Sequence, residues 1–329
     1  MPSREIRSCF VTGGTGFVGS HLVDLLLDGG CEVRCLVRDR TRLRWLQGKP
    51  VILLEGDLGS REVLRDGASG VDAVFHLAGV TAARSRGEYF SVNSEGSQNV
   101  ARAALEAASP PGLFLFMSSL AALGPGRTDE AIVEERTAEP VTDYGRSKLE
   151  GEKRLGTMED LPLVVVRPSA VYGPRDREVY PLFRLAARGI VPIFNPSARL
   201  SLIHVEDLAR GVIAAGTAGR IGEAYFLAHP EAVSAAGLPQ LFGDALGRKV
   251  RGLKIPRALI EASASVSEIW GVLSGRMPLF NRSKVKELTA SGWVCDTGKS
   301  EKELGFTADI HIVQGFDRTV RWYRKQGWL

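Results

Sequence analysis

Ten residues into the chain, a glycine-rich run limits what can follow. Thr12-Gly13-Gly14-Thr15-Gly16-Phe17-Val18-Gly19 comes directly after an apolar run, Ile6–Val11, and opens a helical pattern over Gly16–Leu27. Gly13, Gly16 and Gly19 have the spacing GxxGxxG. The first glycine permits a tight turn, the second lets backbone approach a pyrophosphate, and the third allows close helix–strand packing. Thr15, Phe17 and Val18 share the loop, and the helix start offers N–H groups and a positive dipole end to phosphate. Between a strand and a helix, at the head of a βαβ series, the run reads as a dinucleotide-binding loop.

The pattern that follows supports the same architecture. Apolar, β-type runs recur at Glu32–Val37, Val51–Leu54, Ala73–Leu77, Leu113–Met117 and Leu163–Val166. Helical patterns separate them: short ones near Leu43 and Val63, a long one across Tyr89–Ala107, and another over Asp143–Leu155. Short strands alternating with helices predict an α/β fold with a doubly wound parallel sheet and a ligand crevice at the strands' carboxyl ends. The second half lacks this beat. A helix is expected from Val205 and a strand over Glu223–Leu227. Residues 1–174, with about 201–229, are assigned to the dinucleotide-binding domain. Residues 175–200 and 230–329 are assigned to a smaller, mostly helical substrate-binding lobe.

Three further positions bear on the cofactor. The second strand ends Val37-Arg38-Asp39-Arg40, within a cluster that continues to Arg42 and Arg44. An arginine there pairs with a 2′-phosphate, whereas an acid holds free ribose hydroxyls. Arg38 favours NADP, and Asp39 leaves NAD as the alternative. Asp57-Leu58, after the third strand, can meet an adenine amino group. In His76-Leu77-Ala78-Gly79 the small residues let a cofactor lie against the sheet.

Tyr144 and Lys148 stand four apart on one helix face. A neighbouring ammonium favours the phenolate, so Tyr144 is expected to titrate below its usual value near pH ~10 and to give a proton to a carbonyl oxygen or take one from an alcohol. Ser118-Ser119 ends the fifth strand at the crevice, where one hydroxyl can hold the reacting oxygen and the other cap the next helix.

Charge and composition exclude several classes. Lys and Arg number 42 against 38 Asp and Glu, interleaved, so no nucleic-acid partner is expected. No apolar stretch reaches the length of a membrane span; Leu259–Leu273 is apolar but carries Glu261 and Glu268. Cys9, Cys31, Cys35 and Cys295 form no CxxC pair, and no histidine lies at zinc-ligand spacing, so no metal site is expected. The thiols read as reduced and structural, the N-terminus leaves no room for a leader before its first strand, and the chain is expected in the cytoplasm.

Together TGGTGFVG, GDL, HLAG, VNSEGSQN, FMSSLAALG, YGRSK, RPSAVYGP and LIHVEDLA, in order from residue 12 to residue 209, resemble the extended short-chain dehydrogenase/reductase family, also described as NAD-dependent epimerases/dehydratases. The resemblance implies a Rossmann sheet and a Ser/Tyr/Lys triad carried over to Ser119, Tyr144 and Lys148. Ser119 is preferred to Ser118 because it lies five residues before Gly124. Lys148 would also hold the nicotinamide ribose. Asn93 matches an active-site asparagine that braces backbone or a water. Arg167-Pro168-Ser169-Ala170-Val171 would pack Pro168 and Val171 on the nicotinamide. His204 is read as structural. Arg199 resembles the diphosphate-holding position of sugar-nucleotide epimerases, one residue out of register.

The carboxyl-terminal runs Arg276-Met277-Pro278, Arg282-Ser283-Lys284-Val285, Trp293-Val294-Cys295-Asp296, Glu303-Leu304-Gly305-Phe306 and Trp322-Tyr323-Arg324 resemble the branch of dihydroflavonol-4-reductase-like and 3β-hydroxysteroid-dehydrogenase-like enzymes. That branch implies hydride transfer between NAD(P) and a ketone or secondary alcohol of a small, fairly apolar substrate. Residues 256–280 would either line the pocket or pack as a helix. The alternatives are an epimerase or dehydratase with tightly bound NAD, and a non-catalytic NADP-binding regulator. A homodimer is common among such relatives.

Overall fold

A computed structural model describes residues 4–127, 130–256, 258–259, 282–290 and 292–329. The strands are β1 (Ser8–Thr12), β2 (Glu32–Val37), β3 (Ile52–Glu55), β4 (Ala73–His76), β5 (Leu113–Met117), β6 (Leu163–Pro168), β7 (Ala170–Tyr172), β8 (Ile190–Ile193), β9 (Arg199–His204), β10 (Ala224–Leu227), β11 (Ala232–Ser234), β12 (Arg251–Lys254) and β13 (Gly292–Trp293). The seven-stranded main sheet has the order β10-β6-β5-β4-β1-β2-β3, and every neighbouring pair is parallel. The order reverses between β1 and β4. Their carboxyl ends, Thr12 and His76, are paired and frame the crevice.

Both faces of this sheet are covered, which is why its strands are apolar throughout rather than alternating. All five residues of β5 are buried. Leu113, Leu115 and Met117 face the core shared with α1 (Phe17–Asp28), where Leu22 and Val23 are buried. Phe114 and Phe116 face the opposite core, with Leu64 and Val100. Those two come from α2 (Arg61–Ala68) and α4 (Gly96–Leu105).

The long helix expected over Tyr89–Ala107 is continuous but changes kind along its length. α3 (Arg86–Phe90) runs into a π turn, Ser91–Glu95, and then into α4. The helix near Leu43 is a single 3₁₀ turn, Arg44–Leu46. α5 spans Asp143–Gly156, and α7 spans Val205–Ala218, starting where the sequence placed it.

Beyond α5 the chain makes α6 (Tyr180–Ala186), α8 (Leu238–Leu246), the helices Arg282–Thr289 and Gly298–Leu304, and a terminal helix, Ile312–Lys325. Helices are joined here by more strand than the sequence suggested: β7, β9, β11 and β13 form one small sheet, and β8 pairs in parallel with β12. An aromatic core fills this region. Phe183 lies 4.8 Å from Phe242 and 5.2 Å from Tyr323, ring centre to ring centre, and Phe242 lies 5.1 Å from Phe316. The pocket or packing helix read over 256–280, the amphipathic stretch Leu259–Leu273 and the Arg276-Met277-Pro278 motif fall almost entirely outside the described residues. No helix among the described residues is long and apolar enough to cross a membrane.

Candidate active site

The glycine loop is pressed against the end of β4. Gly13 has φ +79°, and a Cβ there would lie 2.7 Å from the Ala78 nitrogen and the Leu77 carbonyl carbon. A Cβ on Gly19 would lie 2.2 Å from the Gly13 oxygen. Neither clash is with a side chain that could move aside, so both positions need glycine. Gly16 begins α1 without a side-chain cap. The first-turn N–H groups of Phe17 and Val18 are therefore left for an anion.

A buried polar rod runs from this loop to the π turn. The Thr12 hydroxyl meets His76 Nδ1 at 2.6 Å and accepts from the Ala78 N–H at 3.3 Å. His76 Nε2 meets the Ser97 hydroxyl at 2.9 Å, and that hydroxyl donates to the Asn93 carbonyl at 2.8 Å. Burial, and then the charge of Lys148, push His76 down to about 3, so it is neutral near pH 7. Asn93 continues the rod. Its Nδ2 donates to the Val80 carbonyl at 3.0 Å and to the Ser147 hydroxyl at 2.9 Å, and its Oδ1 accepts from the Val80 N–H at 2.8 Å. The brace expected of Asn93 is thus a tie between the segment after β4 and α5.

Small residues bring α5 to the sheet. Thr142 caps it by accepting from the Gly145 N–H at 3.0 Å. A Cβ on Gly145 would meet the Ala121 oxygen at 2.2 Å, and one on Gly151 the Asn93 oxygen at 2.7 Å. Lys148 is buried; its Nζ donates to the Met117 carbonyl at 2.8 Å and lies 5.1 Å from the centre of the Phe116 ring. Gly79 leaves room beside it, since a Cβ there would lie 3.0 Å from Nζ. Burial lowers Lys148 to about 8.

Tyr144 titrates above its usual range. Burial raises it most, the Ser119 hydroxyl lowers it through a side-chain hydrogen bond, and Glu178, Glu287 and Tyr89 raise it further. Burial thus outweighs the pull of Lys148, whose ammonium is engaged at Met117, and this corrects the expectation that Tyr144 is held down.

The two adjacent serines part company. Ser119 caps the 3₁₀ turn Leu120–Ala122, accepting from the Ala121 N–H at 3.1 Å, and also reaches Tyr144. Ser118 bonds Glu152, which forms a buried ion pair with Arg167 at 2.7 Å. The structure therefore brings Ser119, not Ser118, to Tyr144.

At the adenosine end, Arg38 is exposed and has no hydrogen-bond or ion-pair partner among the described residues. The Asp39 carboxylate accepts from the Thr41 N–H and hydroxyl at 2.8 and 2.6 Å and lies 3.3 Å from Arg42. Asp57 Oδ1 accepts from the Gly59 N–H and the Ser60 hydroxyl, both at 2.9 Å. Leu58 packs toward Gly96. Pro168 ends β6, buried, and Val171 lies on β7. His204 is buried and accepts from the Glu206 N–H at the start of α7, a structural cap. Arg199 is exposed at the start of β9. No cluster of metal-ligating side chains occurs among the described residues.

Sequence reading did not single out Tyr89, Thr81 and Glu178. The Tyr89 ring lies 6.4 Å from that of Tyr144, its hydroxyl donates to the Thr81 carbonyl at 3.2 Å, and Thr81 bonds Glu178. Asp176 sets Glu178 by accepting from its N–H at 2.7 Å. These residues form a cluster beside Tyr144, and no local motif marks them.

A sequence profile of the NAD dependent epimerase/dehydratase family matches residues 9–228. A ceramide reductase of Caulobacter vibrioides is 31% identical over 97% of this chain and 95% of its own length. A putative dihydroflavonol 4-reductase of Synechocystis sp. is 30% identical over 97% and 95%. The crystal structure of gox2253 superposes with a TM-score of 0.80 at 27% identity, over 98% of this chain and 99% of that one.

Proposed function

We propose, for a chain that belongs to the NAD-dependent epimerase/dehydratase family and is an enzyme of the extended short-chain dehydrogenase/reductase kind, that it reduces a ketone, or oxidises the corresponding secondary alcohol, with NADP(H). One observation carries the reading. Ser119 reaches Tyr144 just past the end of β5, and Lys148, one turn along the same helix, donates to the Met117 carbonyl at that strand end, two strands from the glycine loop.

The residues present fit a dinucleotide. A cradle that any Cβ would fill, and an uncapped helix start, suit a pyrophosphate. Gly13, Thr15, Gly16, Phe17, Val18 and Gly19 would hold it. Arg38 would take a 2′-phosphate, and Asp57 and Leu58 the adenine. Leu77, Ala78, Gly79, Asn93, Pro168, Val171 and Lys148 would line the nicotinamide end. Two facts support NADP over NAD: Arg38 is uncommitted, whereas Asp39 is occupied by Thr41 and Arg42.

When bound, the nicotinamide supplies or accepts the hydride. The chain's own groups handle the proton. Ser119 Oγ holds the carbonyl oxygen in line with the phenol, and Tyr144 donates its hydroxyl proton to that oxygen as the alkoxide forms. The burial that raises Tyr144 keeps it loaded with that proton at neutral pH. Reduction is therefore the favoured direction near pH 7, and alcohol oxidation gains as the pH rises. Lys148 is a positioning residue, reaching from α5 to the end of β5.

The two reductase-named relatives support a carbonyl reductase over a sugar-nucleotide epimerase, and a ceramide-type lipid ketone is the first substrate to test. We take residues 1–174, with about 201–229, as the dinucleotide domain, and 175–200 with 230–329 as the substrate lobe. We place the chain in the cytosol; its four buried, free cysteines support a reducing compartment. Replacing Tyr144 with Phe should lower turnover by about a thousandfold while leaving NADPH affinity nearly unchanged. An undiminished rate refutes the reading. Purification with bound NAD and a sugar nucleotide would replace it with the epimerase reading.

A further inference from the structure

Two segments remote in sequence form one face whose charge is unlike the rest of the molecule. Residues 180–193 and 246–259 contain no Asp or Glu. The first carries Arg184 and Arg188; the second carries Arg248, Lys249, Arg251 and Lys254 among its described residues. These cations outnumber the net charge of the whole chain, +4, so the remainder is net acidic.

The fold joins the segments edge to edge. β8 and β12 pair in parallel, with Ile190 opposite Arg251 and Pro192 opposite Leu253. The Arg251 N–H donates to the Gly189 carbonyl at 2.9 Å, and Arg248 donates to the Ala187 carbonyl. Val191 and Ile193 point inward and are buried, so by alternation Ile190 and Leu253 point outward beside Arg251. Arg184, Arg188, Lys249 and Arg251 have no carboxylate partner among the described residues; Lys254, opposite Ile193, is exposed on the other side of the ribbon. Interleaved with them are Leu185, Ile190, Leu253 and Leu259, exposed by 41%, 46%, 52% and 61%. These are half of the large apolar side chains that the described surface exposes to that degree.

We propose that this face is a membrane-docking surface that seats the chain on an anionic lipid bilayer. Unpaired cations suit acidic headgroups, and protruding aliphatic side chains suit the acyl boundary beneath them. The exposed apolar groups carry no ring on which a base could stack, which disfavours single-stranded nucleic acid. The face also leads toward the active site. The Ile255 N–H donates to the Ile193 carbonyl at 3.0 Å, and Ile255 and Phe194 pack on Val285 of the helix Arg282–Thr289. Glu287, on the same helix, acts on Tyr144. The docked chain would thus present its substrate lobe to the bilayer.

The full chain is sedimented with vesicles of phosphatidylcholine alone, and with vesicles in which about a third of the lipid is phosphatidylglycerol. Binding is expected only to the second, and should fall as salt is added. Arg251→Glu should lower the partition coefficient about tenfold or more, since reversing one charge shifts the balance by two and each cation is worth about one kcal/mol near such a surface. Ile190→Ser with Leu253→Ser should lower it at unchanged charge. Arg188→Glu, on the other segment, should weaken binding independently. Each variant should keep the parent's melting temperature and NADPH affinity, which reports a folded chain. The proposal is overturned if the parent ignores anionic vesicles, or if the charge-reversed chain binds as the parent does. It is also overturned if the parent binds duplex DNA as tightly as vesicles and the serine variants change neither, which would identify a general polyanion surface.

Discussion

The crevice at the end of β1 and β4 and the core of the proposed substrate lobe are built from opposite materials. The crevice is a lattice of single hydrogen bonds, Thr12 to His76 to Ser97 to Asn93 to Ser147, in which each polar atom has a particular partner. The lobe is a pile of rings, with Phe183, Phe242, Phe316 and Tyr323 in edge-on and tilted contact. Directional bonds fix positions to tenths of an ångström but tolerate no missing member. Ring packing supplies area and accepts adjustment. The difference teaches how each region fails: the polar rod at one missing member, the aromatic core by the area and packing lost with one ring.

Three substitutions probe that contrast. Phe183→Ala should cost about 3–5 kcal/mol of stability, because a fully buried ring leaves a cavity among three others. Its turnover per folded molecule, measured well below the melting point, should change little. A large drop in turnover at full folding would show that the lobe core also sets the chemistry. Arg38→Ser, in the crevice region, should do the reverse. Thermal stability should hold, while NADPH binding weakens by about 1.5–3 kcal/mol, the usual worth of a charge-assisted hydrogen bond, and NADH binding stays put. Equal loss for both cofactors, in calorimetric titration, would remove Arg38 from the 2′-phosphate.

The smallest effect concerns Lys148. Its value in the folded chain, about 8, lies below the ordinary 10.5. Between those two pH values the unfolded chain holds a proton that the folded chain has released. Stability of the cofactor-free protein should therefore rise across that window, by on the order of 1–3 kcal/mol. In Lys148→Met this component of the slope should vanish. An unchanged slope in denaturant titrations would mean that Lys148 is better solvated than its burial implies.

The sequence was most legible where chemistry is local. The GxxGxxG turn, the apolar strands and the Tyr144–Lys148 spacing each announce themselves within eight residues, and the loop, main sheet and α5 lie where they point. What could not be read is pairing across the chain. Thr12 and His76 are 64 residues apart, and nothing near either marks the contact. Ile190 and Arg251 pair across a similar gap, in strands too short to show a period. Tyr144 was expected low because Lys148 is its helical neighbour, but burial dominates both values, and the Lys148 ammonium is turned to the Met117 carbonyl. A histidine inside an apolar strand end, as in Phe75-His76-Leu77, was the one available hint of the polar rod.

The π turn at Ser91–Glu95 has a consequence for how this protein can vary. It spends one more residue per turn than its flanking helices and thereby advances everything upstream by about a quarter of a revolution relative to α4. Asn93 sits inside that extra loop of backbone. Deleting a single residue there would let α3 and α4 fuse into one regular rod, yet would swing Tyr89 away from Tyr144 and take Asn93 off Val80 and Ser147. Length in this segment is thus as fixed as identity, and a chain one residue shorter would make the straighter helix and the blunter enzyme.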